Sequence, residues 1–348
     1  MAKGIRMADI AKELGVSTVT VSKALGNQKG VSEELRERIK QLAEEMGYKA
    51  VGNKSSEEQK SYNIGVLVAA TYIEKYVTFY WEFYQALTRE AAKLNCFVML
   101  EVLEKKEEKE KQDIKLIKEG KINGLIILGS MKTDYLKHLE ENVQLPLLFM
   151  DFYDAHVKED CIISNSFYGT YYLTNYLFER GHSKIAFVGT VLATDSITDR
   201  YLGYRKSLME HGVEEKPQWM IPDREESRYC YEQIALPEEL PTAFVCNCDL
   251  TASKVVKALK ERGKRVPEDA SVVGYDDYLY PGLCDVELTS YSVDMKRMAR
   301  TGIETMVNKI SGAPYQTGIQ VIEGRLVERA SVKKYGEEPE ENDTSKIL

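Results

Sequence analysis

Two sets of side chains in this sequence could do chemistry. The first lies within one short stretch, STVTVSKAL, which holds Ser17, Thr18, Val19, Thr20, Ser22 and Lys23. Hydroxyls and an ammonium are groups that bond the phosphate oxygens and base edges of duplex DNA. With Ser17 as N-cap, a helix here presents Thr18, Val19 and Lys23 outward and leaves Thr20 and Ser22 for phosphates. An outward Val19 is odd on a solvated face but matches the methyl group of thymine. The second set is spread along the chain. Asp151 ends PLLFMD, Arg200 opens a helix after KIAFVGTVLATDS, Asn247 ends AFVCN, and Asp276 with Asp277 ends SVVGYDD. Carboxylates, an amide and a guanidinium gathered in one place suit a ligand rich in hydroxyls. Tyr80, Trp81, Tyr229 and Tyr275 are candidates to stack on an apolar sugar face, although in YVTFYWEFYQAL several rings must be core.

The elements that position the first set are helical. Over residues 5–47, MADIAKEL, STVTVSKAL and SEELRERIKQLAEEMGY have helical periodicity, with turn signals at Gly15, Gly26 and Gly30. Ile10, Ala11 and Leu14 form the inner face of the first helix, Val16 packs inward, and Val21 and Leu25 face back from the second. Two helices joined by a tight glycine turn near the amino terminus make a helix-turn-helix. Residues 1–31 carry five basic side chains (Lys3, Arg6, Lys12, Lys23, Lys29) against two acidic ones (Asp9, Glu13), although the whole chain of 348 residues has a formal charge of −8. The plainer alternative is an ordinary helical hairpin. The N-terminal position, the local positive charge and the polar linker that follows favour DNA binding.

Residues 49–61, KAVGNKSSEEQKS, have no apolar periodicity and read as a linker. Beyond them, NIGVLVA, FVMLEVL, GLIILG, PLLFMDF, CIISN, KIAFVG, AFVCN and SVVGYDD are strand candidates. They alternate with helical segments at about 81–94, 107–119, 132–141, 168–180, 199–211 and 250–262. Strands apolar on both faces and joined by helices form parallel, doubly wound sheets. Their number predicts two sheets, hence two lobes with a cleft, and ligands bind beyond the carboxyl ends of such strands. The expected fold is therefore α/β, a sensor of two doubly wound parallel sheets preceded by an all-α helix-turn-helix domain.

Several functions are disfavoured. No run of eighteen apolar residues occurs and the start lacks a secretory leader, so no membrane partner and a cytoplasmic location are expected. The six cysteines are scattered without a CxxC pair, which points to reduced thiols and no metal site. The phosphate-binding loop GxxxxGK[ST], the GxSxG elbow, the HExxH helix and a GxGxxG after a strand are all missing, so neither catalytic residues nor a cofactor is expected. The run LEKKEEKEKQD reads as a solvated helix face, and His182 as a cap or packing residue.

The segment ADIAKELGVSTVTVSKAL, followed by VSEELRERIKQLAEEMGY, resembles the DNA-binding domain of the LacI/GalR family of repressors. The likeness continues through NIGVLV, ISNSFYGTYYLTNYLFERGHSKIAFVG, Arg200 with Gly203, AFVCNCD and SVVGYDD. It implies a homodimer on a pseudo-palindromic operator and a sensor like periplasmic sugar-binding proteins, with three crossovers between its lobes and effector in the cleft. On the family pattern Thr18, Val19 and Lys23 match base-reading positions, Lys23 standing where arginine is more usual. Ser17, Thr20, Ser22 and Asn27 match backbone-contacting positions, and Arg200, Asn247 and Asp276 match effector-contacting ones. The implied domains are 1–48 for DNA binding, 49–61 as linker, 62–334 as sensor and 335–348 as a disordered acidic tail. Within the sensor, the N-lobe spans about 62–163 and 292–323, and the C-lobe about 164–291 and 324–334. The sequence departs from the family at 49–61. It has no Pro-Asn and no Ala-x-x-Leu hinge helix, and Glu57 and Glu58 lie where a wedge would enter the negatively charged minor groove. The resulting expectation is a repressor of carbohydrate-utilisation genes governed by a small sugar-like effector. The alternatives are control by a protein corepressor or a non-sugar effector, and, from another class, a stand-alone carbohydrate-binding receptor.

Overall fold

A computed structural model describes residues 5–26, 29–46, 48, 61–73, 78–225, 230–278 and 282–336. The chain forms two compact units, Met1–Gln59 and Lys60–Leu348.

In the first unit α1 (Met7–Leu14), α2 (Thr18–Leu25) and α3 (Glu33–Glu45) surround a small core of Ile10, Ala11, Val21, Ala24, Ile39 and Ala43. Leu14, Val16 and Leu25 pack against it half-buried. Gly15 ends α1 with φ of 66°, a left-handed conformation that a glycine adopts without steric cost, and the chain can then turn directly into α2.

The second unit begins with β1 (Asn63–Ala69), α4 (Phe79–Lys93), β2 (Phe97–Leu103), α5 (Lys105–Glu110) and α6 (Lys115–Lys118). There follow β3 (Gly124–Leu128), α7 (Thr133–Asn142), β4 (Leu147–Met150), β5 (Cys161–Ser164), α8 (Ser166–Glu179), β6 (Ile185–Val188) and α9 (Asp195–Glu210). The rest comprises β7 (Met220–Ile221), β8 (Ala243–Cys246), α10 (Asp249–Glu261), β9 (Ser271–Asp276), β10 (Thr289–Ser292), α11 (Met295–Ser311), β11 (Ile319–Ile322) and β12 (Arg325–Val327). One sheet has the order β11-β5-β4-β3-β1-β2 and the other β12-β10-β9-β8-β6-β7. All pairings are parallel except β10 with β12. The chain passes between the sheets after β5, after β10 and after β11, which makes two lobes joined by three crossovers.

Each apolar run expected as a strand is one. The segment 107–119, expected as one crossover helix, is instead α5 and α6, because Lys111 turns left-handed with φ of 54° and ends the first. That run is also not wholly solvated, since the buried Glu108 accepts a hydrogen bond from the backbone of Lys132 at 2.7 Å. His182 packs inside, one ring nitrogen 3.0 Å from the Thr242 hydroxyl and the other 3.1 Å from the Lys333 carbonyl, and burial holds its pKa below the usual value. Tyr335, assigned to the tail on sequence, packs its ring at a tilt against His182 and donates its backbone N–H to the Arg180 carbonyl, so the ordered fold includes it. Residues 49–60 and 337–348 lie outside the described residues. Among the described residues no helix is long and apolar enough to cross a membrane.

The second unit brings α9 hard against α8. A Cβ on Gly203 would lie 2.1 Å from the Phe167 carbonyl oxygen, so only glycine permits this approach, and Arg200 sits one turn earlier on the same helix.

Candidate DNA-reading surface and ligand cleft

On α2 the local sequence determines which side chains are free. Ser17 caps the helix by accepting the Thr20 N–H at 3.0 Å, and its hydroxyl lies 2.8 Å from that of Thr20. With Val21 and Ala24 buried, Thr18, Val19, Ser22 and Lys23 stand exposed, Val19 by 61 %, while Thr20 is half-buried. Asn27 lies outside the described residues. The residue that holds this helix in place was missed on sequence. Arg36 of α3 is buried beneath the end of α2 and donates to the carbonyls of Ala24 at 3.4 Å, Lys23 at 3.5 Å and Val31 at 3.4 Å. A cation there satisfies orphan carbonyls and opposes the negative end of the helix dipole. The available signal was its spacing, since Arg36 shares the face of Ile39 and Ala43.

In the second unit the strand-end residues meet between the lobes. Asp151 follows β4 with φ of 65° and accepts the Tyr80 hydroxyl of α4 at 2.8 Å. Tyr80 leans on Tyr72, with ring centroids 4.7 Å apart, and Tyr72 is tied to the Ser130 carbonyl. Burial pushes the Asp151 carboxyl upward, against the pull of the Arg200 charge and the Tyr80 hydrogen bond. From the other lobe, Arg200 donates to the Asn247 backbone carbonyl at 2.5 Å and to Asp276 at 3.1 Å, and its guanidinium carbon lies 3.8 Å over the Tyr275 ring. Its Nε is buried with no hydrogen-bond partner among the described residues. Burial raises the Asp276 carboxyl to about 7; Arg200 opposes the rise and the Asp151 charge adds to it.

Other sequence candidates take different places. The Asn247 side chain donates to the Val188 carbonyl at 3.1 Å and to Asp223 at 2.7 Å, and accepts from Arg224 at 3.3 Å. Tyr275 is fully buried, with its hydroxyl 3.0 Å from Ser164 and its ring stacked on Tyr291, so it forms the shelf under Arg200. Trp81, 37 % exposed, pairs with Tyr84 on α4, and no contact joins it to Asp151 or Arg200 among the described residues. Tyr229 lies outside the described residues. Two ion or hydrogen-bond pairs went unnoticed on sequence. Asp223 and Arg224 form a buried salt bridge at 2.7 Å, and Tyr153 of the N-lobe donates to Asp199 of the C-lobe at 3.0 and 3.1 Å. Asp223 and Arg224 follow a strand of only two residues, and Tyr153, although it lies just past a strand end, has its partner 46 residues away. The six cysteines are free thiols.

Comparison with known proteins bears on both units. Residues 6–50 match the family model for bacterial regulatory proteins of the lacI family, and residues 174–332 match a periplasmic binding protein-like domain. The chain belongs to the LacI/GalR family. Among LacI-type relatives, the HTH-type transcriptional repressor PurR of Aliivibrio salmonicida is 28 % identical over 332 residues, covering 94 % of this chain and 98 % of that protein. PurR of Pasteurella multocida is 27 % identical over 330 residues, covering 93 % and 98 %. The Lac repressor dimer bound to operator and the anti-inducer ONPF has the same fold, with a TM-score of 0.65 at 23 % identity over 95 % of this chain and all of that one. The regulator CelR in complex with cellobiose has a TM-score of 0.65 at 19 % identity over 94 % and 99 %. As a LacI/GalR member, the chain is a DNA-binding transcriptional regulator with an effector-sensing domain.

Proposed function

We propose that the chain acts as a homodimeric repressor on a pseudo-palindromic operator, and that a polyhydroxylated, sugar-like effector in the cleft controls it. In each α2 helix, Thr18, Val19 and Lys23 read base edges, while Ser17, Thr20, Ser22 and Asn27 contact the phosphate backbone. Lysine reaches guanine acceptors without the planar fork of arginine. The observation that carries the effector half is the meeting of Asp151 from one lobe with Arg200 and Asp276 from the other. Hydroxyls both donate and accept, so one sugar ring can satisfy carboxylate and guanidinium together. Tyr80 supports Asp151 and Tyr275 supports Arg200. Among the solved relatives, one was crystallised with cellobiose and another with D-xylulofuranose.

Control requires only that effector bind the two lobe arrangements unequally. A tenfold change in operator affinity corresponds to about 1.4 kcal/mol of differential binding, which a few hydroxyl hydrogen bonds supply. The test is a thermal-shift screen of the full chain against mono- and oligosaccharides and purines, followed by operator-release titration with each hit. A saccharide that raises the melting temperature and changes operator binding is the expected result. No saccharide hit at millimolar concentration overturns the sugar reading and favours a protein corepressor. A saccharide hit without any operator binding favours a stand-alone receptor.

A further inference from the structure

We infer that effector binding in this chain is coupled to release of a proton from the cleft, so that pH sets the strength of the response. The inference rests on the effector reading above and adds a second input to the same site. At the carboxyl ends of β8 and β9, Asp249 opens α10 and Asp276 ends its strand, and the Asp151 charge acts on Asp276 from the other lobe. Asp151 and Asp249 are buried, and only 14 % of the Asp276 side chain is accessible. The charges around them are already paired. Asp223 holds Arg224 at 2.7 Å, Asp277 holds Arg329 at 2.6 Å, and Asp199, beside Arg200 on α9, accepts the Tyr153 hydroxyl. Arg200, bonded to Asp276 at 3.1 Å, is then the cation left among the described residues for three carboxyls. The other titratable groups that face the cluster are Tyr80 from α4, Tyr275 from β9 and Cys248 at the start of α10, and burial keeps all three neutral near physiological pH.

Three buried carboxylates share one guanidinium only at great cost, so protons take up the excess. Asp249 is sealed. Its Oδ2 accepts the Tyr278 N–H at 2.9 Å, while Oδ1 has no hydrogen-bond partner among the described residues and lies against Gly274, where a Cβ would fall 1.9 Å from it. A neutral acid suits that place, and at 3 % exposure it is out of reach of a ligand. Asp151 is engaged by the Tyr80 hydroxyl at 2.8 Å. Asp276 is left as the group that exchanges its proton: Arg200 bonds its Oδ1, and Oδ2 has no hydrogen-bond partner among the described residues. Burial raises this carboxyl to about 7, with Arg200 opposing the rise and Asp151 adding to it.

Ligand chemistry decides the direction. Burial is present before ligand arrives, so what a polyhydroxylated ligand adds is O–H donors. A hydroxyl bonds an ionised carboxylate roughly twice as strongly as a neutral acceptor. Binding therefore favours the charged form of Asp276, whose proton passes to solvent. Effector affinity then rises with pH until free Asp276 is ionised in any case, and levels off above that range.

The test is titration calorimetry of the full chain with neutral mono- and disaccharides, cellobiose included, in buffers of different ionisation enthalpy. None of these sugars titrates near neutral pH, so every proton counted comes from the protein. About one proton should leave per ligand near pH 6, and affinity should rise about tenfold from about pH 6 to 8. Asp276→Asn keeps the shape without the proton, and its profile should be flat. Asp151→Asn removes the like charge, and the rise should move to lower pH. Carbon-13 titration of the ligand-free wild type, with Asp276 assigned through its variant, locates the proton without requiring any variant to bind. A flat affinity profile without proton release overturns the coupling and leaves the effector reading standing. Proton uptake does the same, because the neutral acid would then be the bound form. A slope that persists in Asp276→Asn, or a carbon-13 titration without a change at Asp276 between about pH 5 and 8, overturns the assignment to this carboxyl. Failure of the wild type to bind any saccharide overturns the effector reading and this inference with it.

Discussion

On α2, Thr18, Val19, Ser22 and Lys23 stand exposed on a helix whose other side is buried, whereas in the cleft Asp151, Arg200 and Asn247 are buried and already hydrogen-bonded by the protein. DNA supplies partners along a long, regular surface, so its reader can be a row of solvated side chains oriented by a small core. A small ligand must be held by a few groups from two lobes, and those groups need partners of their own before it arrives. The fold can therefore survive loss of the DNA contacts, but it depends on the groups that line the cleft.

The largest expected effect is at Arg200. Arg200→Met leaves Asp276 and the Asn247 carbonyl without their donor in a buried setting, at a cost of about 3 to 5 kcal/mol. Urea unfolding should show the loss, and effector response should vanish. If stability is unchanged, the buried network does not hold the cleft and the contrast with α2 collapses.

Titration of Asp276 comes next. Its carboxyl is raised from 3.8 to about 7 in the folded chain, so the folded state holds a proton that the unfolded state gives up at lower pH. Stability is therefore lost as pH rises between about 4 and 7. Asp223, held at about 2, contributes in the opposite sense, since its stabilisation is lost as pH falls from 3.8 towards 2. Wild type minus Asp276→Asn, followed by melting temperature from pH 5 to 8, should fall with pH. A flat difference rejects the burial of this carboxyl.

On the DNA-reading side the effects divide in two. Arg36→Met should cost about 2 to 3 kcal/mol of stability in the first unit, because charge-assisted hydrogen bonds to the Lys23 and Ala24 carbonyls at the end of α2 and to the Val31 carbonyl beyond it are lost. Lys23→Ala should change stability by less than about 0.5 kcal/mol and weaken operator binding by about 1 to 3 kcal/mol, with effector affinity unaltered. Mobility shift beside thermal unfolding separates them. Loss of fold in Lys23→Ala would contradict its exposed position.

Legibility in the sequence follows the same division. Ser17, Val19 and the α1–α2 core were readable because capping and helical spacing are local. The continuous apolar strands were readable because both faces are covered. Strand β10, TSYS, was not expected, since Thr289 and Ser290 are polar yet buried and Thr289 is satisfied by Ser331 and Arg329, forty or more residues away. Asp151, Arg200 and Asp276 could be named from strand ends and resemblance. That Asn247 turns inward depends on Asp223, which lies 24 residues away and is marked by no apolar run of strand length.

The smallest effect tests how the cleft holds its two lobes together. Tyr153 lies two residues after Asp151, and Asp199 lies one residue before Arg200, so their hydrogen bonds join the segments that carry the site from either lobe. The Phe152 ring stacks on Phe149 at 4.6 Å, and Asp154 accepts the N–H groups of His156 and Val157, so the loop that presents Tyr153 is anchored on both sides. Tyr153→Phe keeps the ring and removes only the hydroxyl, for about 1 kcal/mol. Because neither partner is on α2, operator-binding groups are untouched and any change in DNA release must come through the lobes. Hydrogen exchange of residues 151–157 and 195–201 should rise together in the ligand-free variant. A rise in one segment alone would mean that the bond stabilises its own loop and does not clasp the lobes.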